Sequence, residues 1–330
     1  MFSGDRMQRF KNILVACDAQ SDSKPALERA ISLARANAAG VTLLDVIDAA
    51  PGELNRLFAG LPGTRPAEIA DQVRHYHKSK LDELAARFKA EGIPVTVTVL
   101  EGTAFLEIIR HVIRAGNDLV IKAVSAKGTS TGLFSRGYDL HLLRKCPCPV
   151  WMVKDTDGAA AGRILAAVDP DPDDPIRQGL NTQVMEMASS LSEADGAHLH
   201  IVNVWRLQEE QALRSGRLHL EPAEIDRIID QERVKSKSRL DKLLANFPAG
   251  RVQRSLHHIK GLAGDIIPAY AAEHGIDTIV MGTVGRTGIS GLFIGNTAEE
   301  ILNAVNCSVI AVKPPGFVSP VATDLTGASS

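Results

Sequence analysis

Short apolar runs alternate with longer amphipathic segments along this chain. The first run, residues 13–17, ends at Asp18, and a second run follows at residues 41–46. Later apolar runs, rich in β-branched residues, occupy residues 95–99, 119–121 and 150–153. Such runs are typical of buried strands, whereas the longer segments have the spacing of helices. Because strands and helices alternate, the pattern predicts an α/β fold in which helices cover both faces of a parallel sheet.

The whole pattern occurs twice. Residues 13–18 match residues 164–169, because each is an apolar run that ends in aspartate. From Gly102 onward the copies keep a constant offset of 159 residues, which places Gly261 opposite Gly102. An internal repeat of this kind predicts two tandem, open, parallel five-stranded sheets. The predicted bounds are residues 10–154 and 163–315 for the domains, 155–162 for a linker, and 1–9 and 316–330 for flexible termini.

The composition narrows the classes of partner and compartment. The chain has 330 residues, of which 45% are hydrophobic and 23% charged, and its formal net charge is −2. Without a basic surplus, no nucleic-acid partner is expected. No apolar run approaches the roughly 20 residues of a membrane-spanning helix, and residues 1–11 lack the apolar core of a secretory signal. We therefore expect a cytoplasmic protein without membrane insertion.

The candidate chemistry concentrates in residues 282–296 of the second copy. Gly282, Gly285 and Gly295 follow an apolar run at residues 278–281 and precede a helical pattern. Glycines let backbone amides approach an anion closely, and a helix N-terminus adds unpaired donors and the positive end of its dipole. Arg286 adds a charged contact to a phosphate oxygen. The segment therefore predicts a phosphate cradle.

Neighbouring strand ends complete the predicted site. Either Asn296 or Thr297 is expected to cap the next helix, with a glutamate three residues further on at 299 or 300. Asp169 follows the first strand of the second copy, and Val204 lies at the end of its second strand. Ligands of open parallel sheets bind outside the carboxyl ends of the strands. We expect Asp169 to accept hydrogen bonds from ribose or base, and the backbone near Val204 to contact adenine.

These residues carry a resemblance to a known family. The pattern Gly-x2-Gly-x9-Gly, followed by a small polar residue, resembles the ATP-binding motif of the universal stress protein family. The five-stranded half with aspartate after its first strand also resembles that family, and residues 142–150 and 282–288 resemble its tandem E-type members. The resemblance implies a Rossmann-like fold of the adenine nucleotide alpha hydrolase type. It also implies ATP or a related adenine nucleotide, with Mg²⁺ as a further cofactor.

The family resemblance also implies a role and an assembly. Members are linked to stress tolerance, including DNA-damaging conditions. Their last strand commonly mediates dimerisation, so the apolar residues 150–153 and 309–312 are expected to pair within the chain as a pseudo-dimer. A homodimer is the alternative.

The sequence departs from the family motif in both copies. In the second copy, Asn296 stands where the family has Ser or Thr, and Asp171 replaces the usual Ser two residues after the strand-end aspartate. In the first copy, alanine or arginine occupies the positions of the three glycines, at Ala123, Ala126 and Arg136. A Cβ blocks close approach of the backbone, so we expect no comparable cradle there. Its basic residues at positions 122, 127, 136, 141, 144 and 145 indicate a solvated face or an anion-binding region.

Three classes of function remain open from the sequence. The first is a nucleotide-binding regulatory protein, and the second is a slow ATP hydrolase. Walker A and Gly-x-Gly-x-x-Gly patterns are absent, and Ser130 of a Gly-x-Ser-x-Gly string lies in a predicted loop. His257 and His258 look like a strand-end pair but lack a spaced partner, so no catalytic residue is assigned. The third class is a scaffold, or a protein that binds a ligand other than a nucleotide.

The cysteines give no support for a metal site. Cys146 and Cys148 are separated by one proline, which is not the spacing of common zinc or redox motifs. Cys17 and Cys307 lie in apolar runs and are expected to be core residues. No metal ligand is assigned.

Overall fold

One mixed sheet organises the chain. The computed structural model describes residues 9–18, 23–48, 65–124, 137–154, 162–215, 220–248, 250, 252–283 and 295–322. The strands are β1 Asn12–Cys17, β2 Gly40–Ile47, β3 Val95–Glu101, β4 Leu119–Val124, β5 Val150–Lys154, β6 Arg163–Ala167, β7 His198–Trp205, β8 Arg254–Lys260, β9 Thr278–Gly282 and β10 Ser308–Val312. The helices are α1 Lys24–Asn37, α2 Pro66–Ala90, α3 Ala104–Ala115, α4 Gly137–Lys145, α5 Pro175–Asp195, α6 Glu210–Arg214, α7 Pro222–Leu244, α8 Ala263–Glu273 and α9 Asn296–Ala304.

The strand order shows two parallel halves joined edge to edge. The order is β3-β2-β1-β4-β5-β10-β9-β6-β7-β8, so each repeat contributes five adjacent strands to a ten-stranded sheet. Pairing is parallel within each repeat, whereas β5 and β10 pair antiparallel, with Ile310 opposite Trp151. The predicted α/β fold with two parallel repeats is confirmed. The repeats form one sheet, because each apolar last strand supplies the ladder partner that the other edge lacks.

Helices cover both faces of this sheet because the strand side chains alternate between two cores. Residues such as Ile13 and Val15 pack with α1, α2, α5 and α7 on one face. Residues such as Leu14 and Ala16 pack with α3, α4, α8 and α9 on the other face. This alternation has the period of two residues that a strand imposes. The apolar runs of the sequence are therefore strands buried on both faces.

Ion pairs join the two repeats on both faces of the sheet. Arg29 of α1 lies 2.6 Å from Asp195 of α5, and both side chains are largely buried. The guanidinium carbon of Arg29 also lies 5.3 Å from the ring centre of Trp151, which is 1% exposed. On the opposite face, Arg144 of α4 lies 2.6 Å from Glu299 of α9. Both helix layers are thus continuous across the junction of the repeats.

The segment after Pro315 differs from the flexible terminus that the sequence predicts. Within residues 316–322, Ser319 is 2% exposed and Val321 is 3% exposed. Val321 packs in the core that contains α8 and α9. The expectation of a flexible tail is wrong for these residues, because most of them are apolar and the Val321 side chain is buried in that core. No helix within the described residues is long and apolar enough to cross a membrane.

Candidate functional site

The switch in strand order of the second repeat brings the predicted site residues to one edge of the sheet. β6 pairs with both β7 and β9, so Ala167 lies opposite Val202 on one side and Met281 on the other. Asp169, Val204 and Gly282 therefore lie at the carboxyl ends of three adjacent strands. We call this edge the motif edge. It is the position at which open parallel sheets bind ligands.

The backbone at Asp169 is held by a buried amide. Asn181 of α5 accepts a hydrogen bond from the Asp169 N–H at 2.8 Å and donates one to the Asp169 carbonyl at 3.0 Å. Asn203 donates to the preceding carbonyl, that of Val168, at 2.9 Å. The Asp169 carboxylate is about half exposed, and it lies 3.9 Å from Arg177. A fixed backbone thus presents this carboxylate at the motif edge, where it can accept hydrogen bonds.

The acidic run after Asp169 serves as a helix cap. Asp174 caps α5 by accepting a hydrogen bond from the Arg177 N–H at 3.0 Å. The Arg177 side chain lies 3.0 Å from Asp171, and Arg239 of α7 lies 3.4 Å from the same carboxylate. These two arginines offset the negative charge beside the motif edge. Sequence reasoning missed both, although Arg177 stands three residues after a recognisable capping aspartate.

Gly282 is required by packing at the end of β9. A Cβ on this residue would lie 2.4 Å from Leu180 Cδ2 and 2.8 Å from its Cγ. Leu180 belongs to α5 and is 7% exposed, so it has little room to move. The glycine therefore allows α5 to approach the strand end. This reason for glycine is independent of any ligand.

Thr283 links the two ends of the motif segment. Its N–H donates to the Val312 carbonyl at 3.2 Å, and its own carbonyl accepts from the Gly295 N–H at 3.0 Å. Thr283 is 0% exposed. One hydrogen bond therefore joins Thr283 to Gly295, the two described residues that flank positions 284–294. Gly285 and Arg286 lie outside the described residues.

The start of α9 corrects the predicted helix cap. The N-cap is Gly295, with φ −61° and ψ 143°, and no side chain caps the helix. The expected cap at Asn296 or Thr297 is wrong, because both residues already belong to the first turn and are exposed. The first amides of a helix have no acceptor within it. The N-terminus of α9 thus directs first-turn amides and the Asn296 and Thr297 side chains toward solvent.

The first repeat replaces this arrangement with a buried ion pair. Lys122 of β4 lies 3.0 Å from Asp139 of α4, and these residues are 9% and 2% exposed. At the repeat offset, the corresponding residues are Met281 and Ala298, which are both core residues. The expectation of a solvated basic face is wrong for Lys122, because its partner is buried with it. Ala126, Lys127, Ser130 and Arg136 lie outside the described residues.

The adjacent histidines lie within β8, so their interpretation as a strand-end pair is wrong. His257 lies 6.0 Å from His200 and 4.8 Å from Tyr270, measured between ring centres. His200 Nδ1 is 2.8 Å from the Tyr270 hydroxyl, and burial lowers the pKa of His200 to about 4. His258 faces the other side of the sheet, where its ring stacks on Trp205. These packed positions suit structural histidines.

The cysteines are buried thiols. Cys146 Sγ lies 3.6 Å from Cys148 Sγ, and both residues are buried. Burial raises the pKa of Cys17 and of Cys307 to about 12. Across the part of the chain that the structure describes, no three or more His, Cys, Asp or Glu side chains are grouped to hold a metal ion.

Comparisons with known sequences identify the repeated domain. The sequence profile described as the universal stress protein family matches residues 9–154 and again residues 161–313. The chain is 29% identical over 329 residues to Universal stress protein E of Escherichia coli K12, covering 96% of this chain and 98% of that protein. It is 28% identical over 329 residues to Universal stress protein E of Salmonella typhi, covering 96% and 99%.

Solved structures support the same architecture over the full length. A functionally unknown protein from Pseudomonas aeruginosa PAO1 has a TM-score of 0.71 at 24% identity, covering 98% of this chain and 99% of that chain. A universal stress protein from Archaeoglobus fulgidus has a TM-score of 0.63 at 17% identity, covering 94% and 98%. At these identities the similarity shows the fold alone. Because both halves match the profile, the chain belongs to the universal stress protein family, as a tandem member of the E type.

Proposed function

We propose that this protein is a nucleotide-binding regulator that holds ATP or a related adenine nucleotide at the motif edge of the second repeat. One observation carries the proposal. Asp169, the Gly282 strand end and the N-terminus of α9 converge at the switch in strand order. A helix N-terminus stabilises phosphate, and a strand-end carboxylate accepts ribose hydroxyls. The two features suit the two ends of a nucleotide.

In this proposal, different described residues contact the phosphates, the ribose and the adenine. The first-turn amides and side chains of Asn296 and Thr297 face the phosphates, next to the Gly295 backbone. Asp169 accepts hydrogen bonds from the ribose, and the end of β7 at Val204 contacts the adenine edge. Gly285 and Arg286 lie outside the described residues, and the sequence motif proposes them as further amide and guanidinium donors. A bound Mg²⁺ would neutralise phosphate charge.

Regulation by binding is favoured over catalysis. Among the described residues at the motif edge, no general base or nucleophile is positioned beside the helix terminus. The antiparallel ladder between β5 and β10 supports the proposal that the two repeats form an intramolecular pseudo-dimer. In this proposal, the nucleotide state of the second repeat is read by partners in the cytoplasm during stress, including DNA damage. The first repeat is a structural partner with an altered strand end.

Titration calorimetry with ATP, with and without Mg²⁺, tests the binding proposal. Gly295→Asp is the informative variant, because an N-cap aspartate stabilises a helix while its charge opposes phosphate at the same amides. Gly295→Asn is the neutral control, because asparagine has nearly the same shape as aspartate and carries no charge. Thr103→Asp places the same charge at the N-cap of α3 in the first repeat.

The expected results separate binding from folding. We expect wild type, Gly295→Asn and Thr103→Asp to bind ATP, and Gly295→Asp to bind at least about tenfold more weakly, a difference of roughly 1.4 kcal/mol. Thermal unfolding of Gly295→Asp should be no lower than that of wild type. Absence of ATP binding by the wild type, or equal binding by the Asp and Asn variants, contradicts the proposal.

A further inference from the structure

A buried lysine bridges the two repeats beside the motif segment. Lys313, directly after β10, is 5% exposed. Its Nζ donates to the Leu143 carbonyl of α4 at 2.7 Å and to Thr283 Oγ1 at 2.6 Å. The amine also lies 5.0 Å from the ring centre of Phe317. Within the described residues, no carboxylate lies within ion-pair distance of this amine.

The position of this amine connects the first repeat to the motif edge. Thr283 accepts the Lys313 hydrogen bond through its hydroxyl, and its carbonyl accepts the Gly295 N–H at 3.0 Å. Leu143 belongs to α4, which is the helix of the first repeat that corresponds to α9 in the second repeat. A continuous path of three hydrogen bonds therefore runs from α4 through Lys313 and Thr283 to the cap of α9. The Arg144–Glu299 ion pair joins the same two helices independently.

The equivalent lysine of the first repeat has no such role. Lys154 occupies the same repeat position, and its Nζ donates to the Asn306 carbonyl at 2.7 Å in an exposed setting. The bridge therefore serves the second repeat, which is also the repeat that keeps the glycine motif. Two observations with no shared cause thus fall on the ends of the adjacent strands β9 and β10.

The surroundings of Lys313 make its ammonium easier to deprotonate than that of an exposed lysine. Burial lowers its pKa from 10.5 to about 7, while the Cys146 thiol opposes this change. The amine adjoins a cavity of about 330 Å³. Besides Lys313, two charged side chains line that cavity, and each has a partner elsewhere. Asp118 accepts the Lys11 N–H at 2.6 Å, and Arg9 pairs with Glu186 of α5 at 2.9 Å. On α9, Glu299 pairs with Arg144.

We propose that Lys313 is a positioning residue through which the first repeat holds Thr283 and the Gly295 cap of α9, and that phosphate binding at the N-terminus of α9 draws a proton onto its amine. The inference rests on the proposed nucleotide site. Above about pH 7, where the amine is mainly neutral, binding brings one proton from solvent to it and forms an ammonium, with no other bond formed or broken. The new positive charge then stabilises the phosphate through Thr283 and the cap of α9.

This mechanism predicts a direction for pH dependence. When binding of a ligand raises the pKa of a protein group, that group has one pKa in the free protein and a higher one in the complex. The affinity for the ligand falls as pH rises from the lower to the higher value, by at most tenfold per pH unit for one proton. Wild type should therefore bind ATP more weakly at pH 8.5 than at pH 7. Lys313→Arg stays charged throughout, and Lys313→Met never carries a charge. Neither variant should share this extra dependence.

Calorimetric titration of ATP at pH 7 and pH 8.5 tests the inference in the full-length protein. Because ATP titrates identically in every experiment, the comparison between variants removes its contribution. We expect wild type to lose about fivefold more affinity than Lys313→Arg over this interval. Lys313→Met should bind more weakly than Lys313→Arg at pH 7, and its affinity should not show the wild-type loss at pH 8.5. Circular dichroism of each variant reports folding, and if Lys313→Arg does not fold, the pH comparison is made against Lys313→Met.

The outcomes distinguish the two proposals. If wild type binds ATP but shows the same pH profile as the variants, the Lys313 inference is overturned while the nucleotide site stands. If wild type binds no ATP at either pH, the nucleotide site fails and the inference fails with it. Proton uptake can also be measured directly, by titrating in two buffers that differ in ionisation enthalpy. Wild type should take up more protons than Lys313→Arg at pH 8.

Discussion

The buried ion pair between Arg29 and Asp195 should contribute strongly to the stability of the joined sheet. The two charged atoms are 2.6 Å apart, and the side chains are 14% and 6% exposed. Removing one member of a buried pair typically costs about 3–5 kcal/mol, because the other charge stays buried without it. Since Arg29 keeps its contact with Trp151 and some exposure, we expect Asp195→Ala to cost about 3 kcal/mol, at the lower end of that range.

A double-mutant cycle separates the pair from other effects of substitution. Asp195→Ala, Arg29→Met and the double variant would be unfolded in urea at pH 7 and followed by tryptophan fluorescence and circular dichroism. We expect a coupling energy of about 2 kcal/mol, because residues in direct contact deviate from additivity. Glu91→Ala is the matched control, because its pair with Arg35 is exposed, and it should cost less than about 1 kcal/mol.

The cycle has a clear refuting result. Coupling below about 0.5 kcal/mol would mean that the two residues act independently, as distant sites do. An Asp195→Ala cost no larger than that of Glu91→Ala would have the same meaning. Either result would show that α1 and α5 do not pack across the junction as described.

Three further perturbations have expected outcomes. Gly282→Ala should destabilise by about 1–3 kcal/mol in urea unfolding, since the new Cβ overlaps Leu180, and Leu180→Ala should cost less in that background than alone. His200 has a pKa of about 4 when folded and 6.5 ordinarily, so the unfolded chain binds more protons between these values. Wild type should therefore lose stability relative to His200→Leu as pH falls from 6.5 towards 4, and equal slopes would refute this. Lys313 has a lowered pKa of about 7, so wild type should gain stability relative to Lys313→Met as pH rises from 7 to 10, by at most about 1.4 kcal/mol per pH unit. A pH-independent difference would show that the amine is not buried as described.

The repeat and the location of the motif edge could be read from local pattern. Each strand is a contiguous apolar run, and the pattern places Asp169 and Gly282 at the ends of the first and fourth strands of the second repeat. General topology rules then require those strand ends to lie near the switch in strand order. The antiparallel pairing of β5 with β10 brings together residues far apart in the chain, and the resemblance to the family, more than any local pattern, made it an expectation.

Other features depend on contacts that a single sequence does not display. The N-cap of α9 is Gly295, which has extended backbone just before the first helical residue, although Asn and Thr are generally preferred at this position. Lys122 is buried because Asp139 folds back against it from the next helix. Lys313 gave no signal beyond its repeat position, since its acceptors are a hydroxyl and a backbone carbonyl of the other repeat. Patterns of residue type do not report such partners.

Photo-crosslinking with an azido-adenine analogue of ATP, followed by peptide mapping, tests the central claim most directly. The adenine is expected beside the carboxyl ends of β6 and β7, so label should appear in peptides that contain Asp169 or Val204. Excess ATP should prevent the labelling, and Gly295→Asp should reduce it while Gly295→Asn does not. Label confined to residues 10–154, or label in the second repeat that excess ATP does not displace, would contradict a nucleotide site at the motif edge.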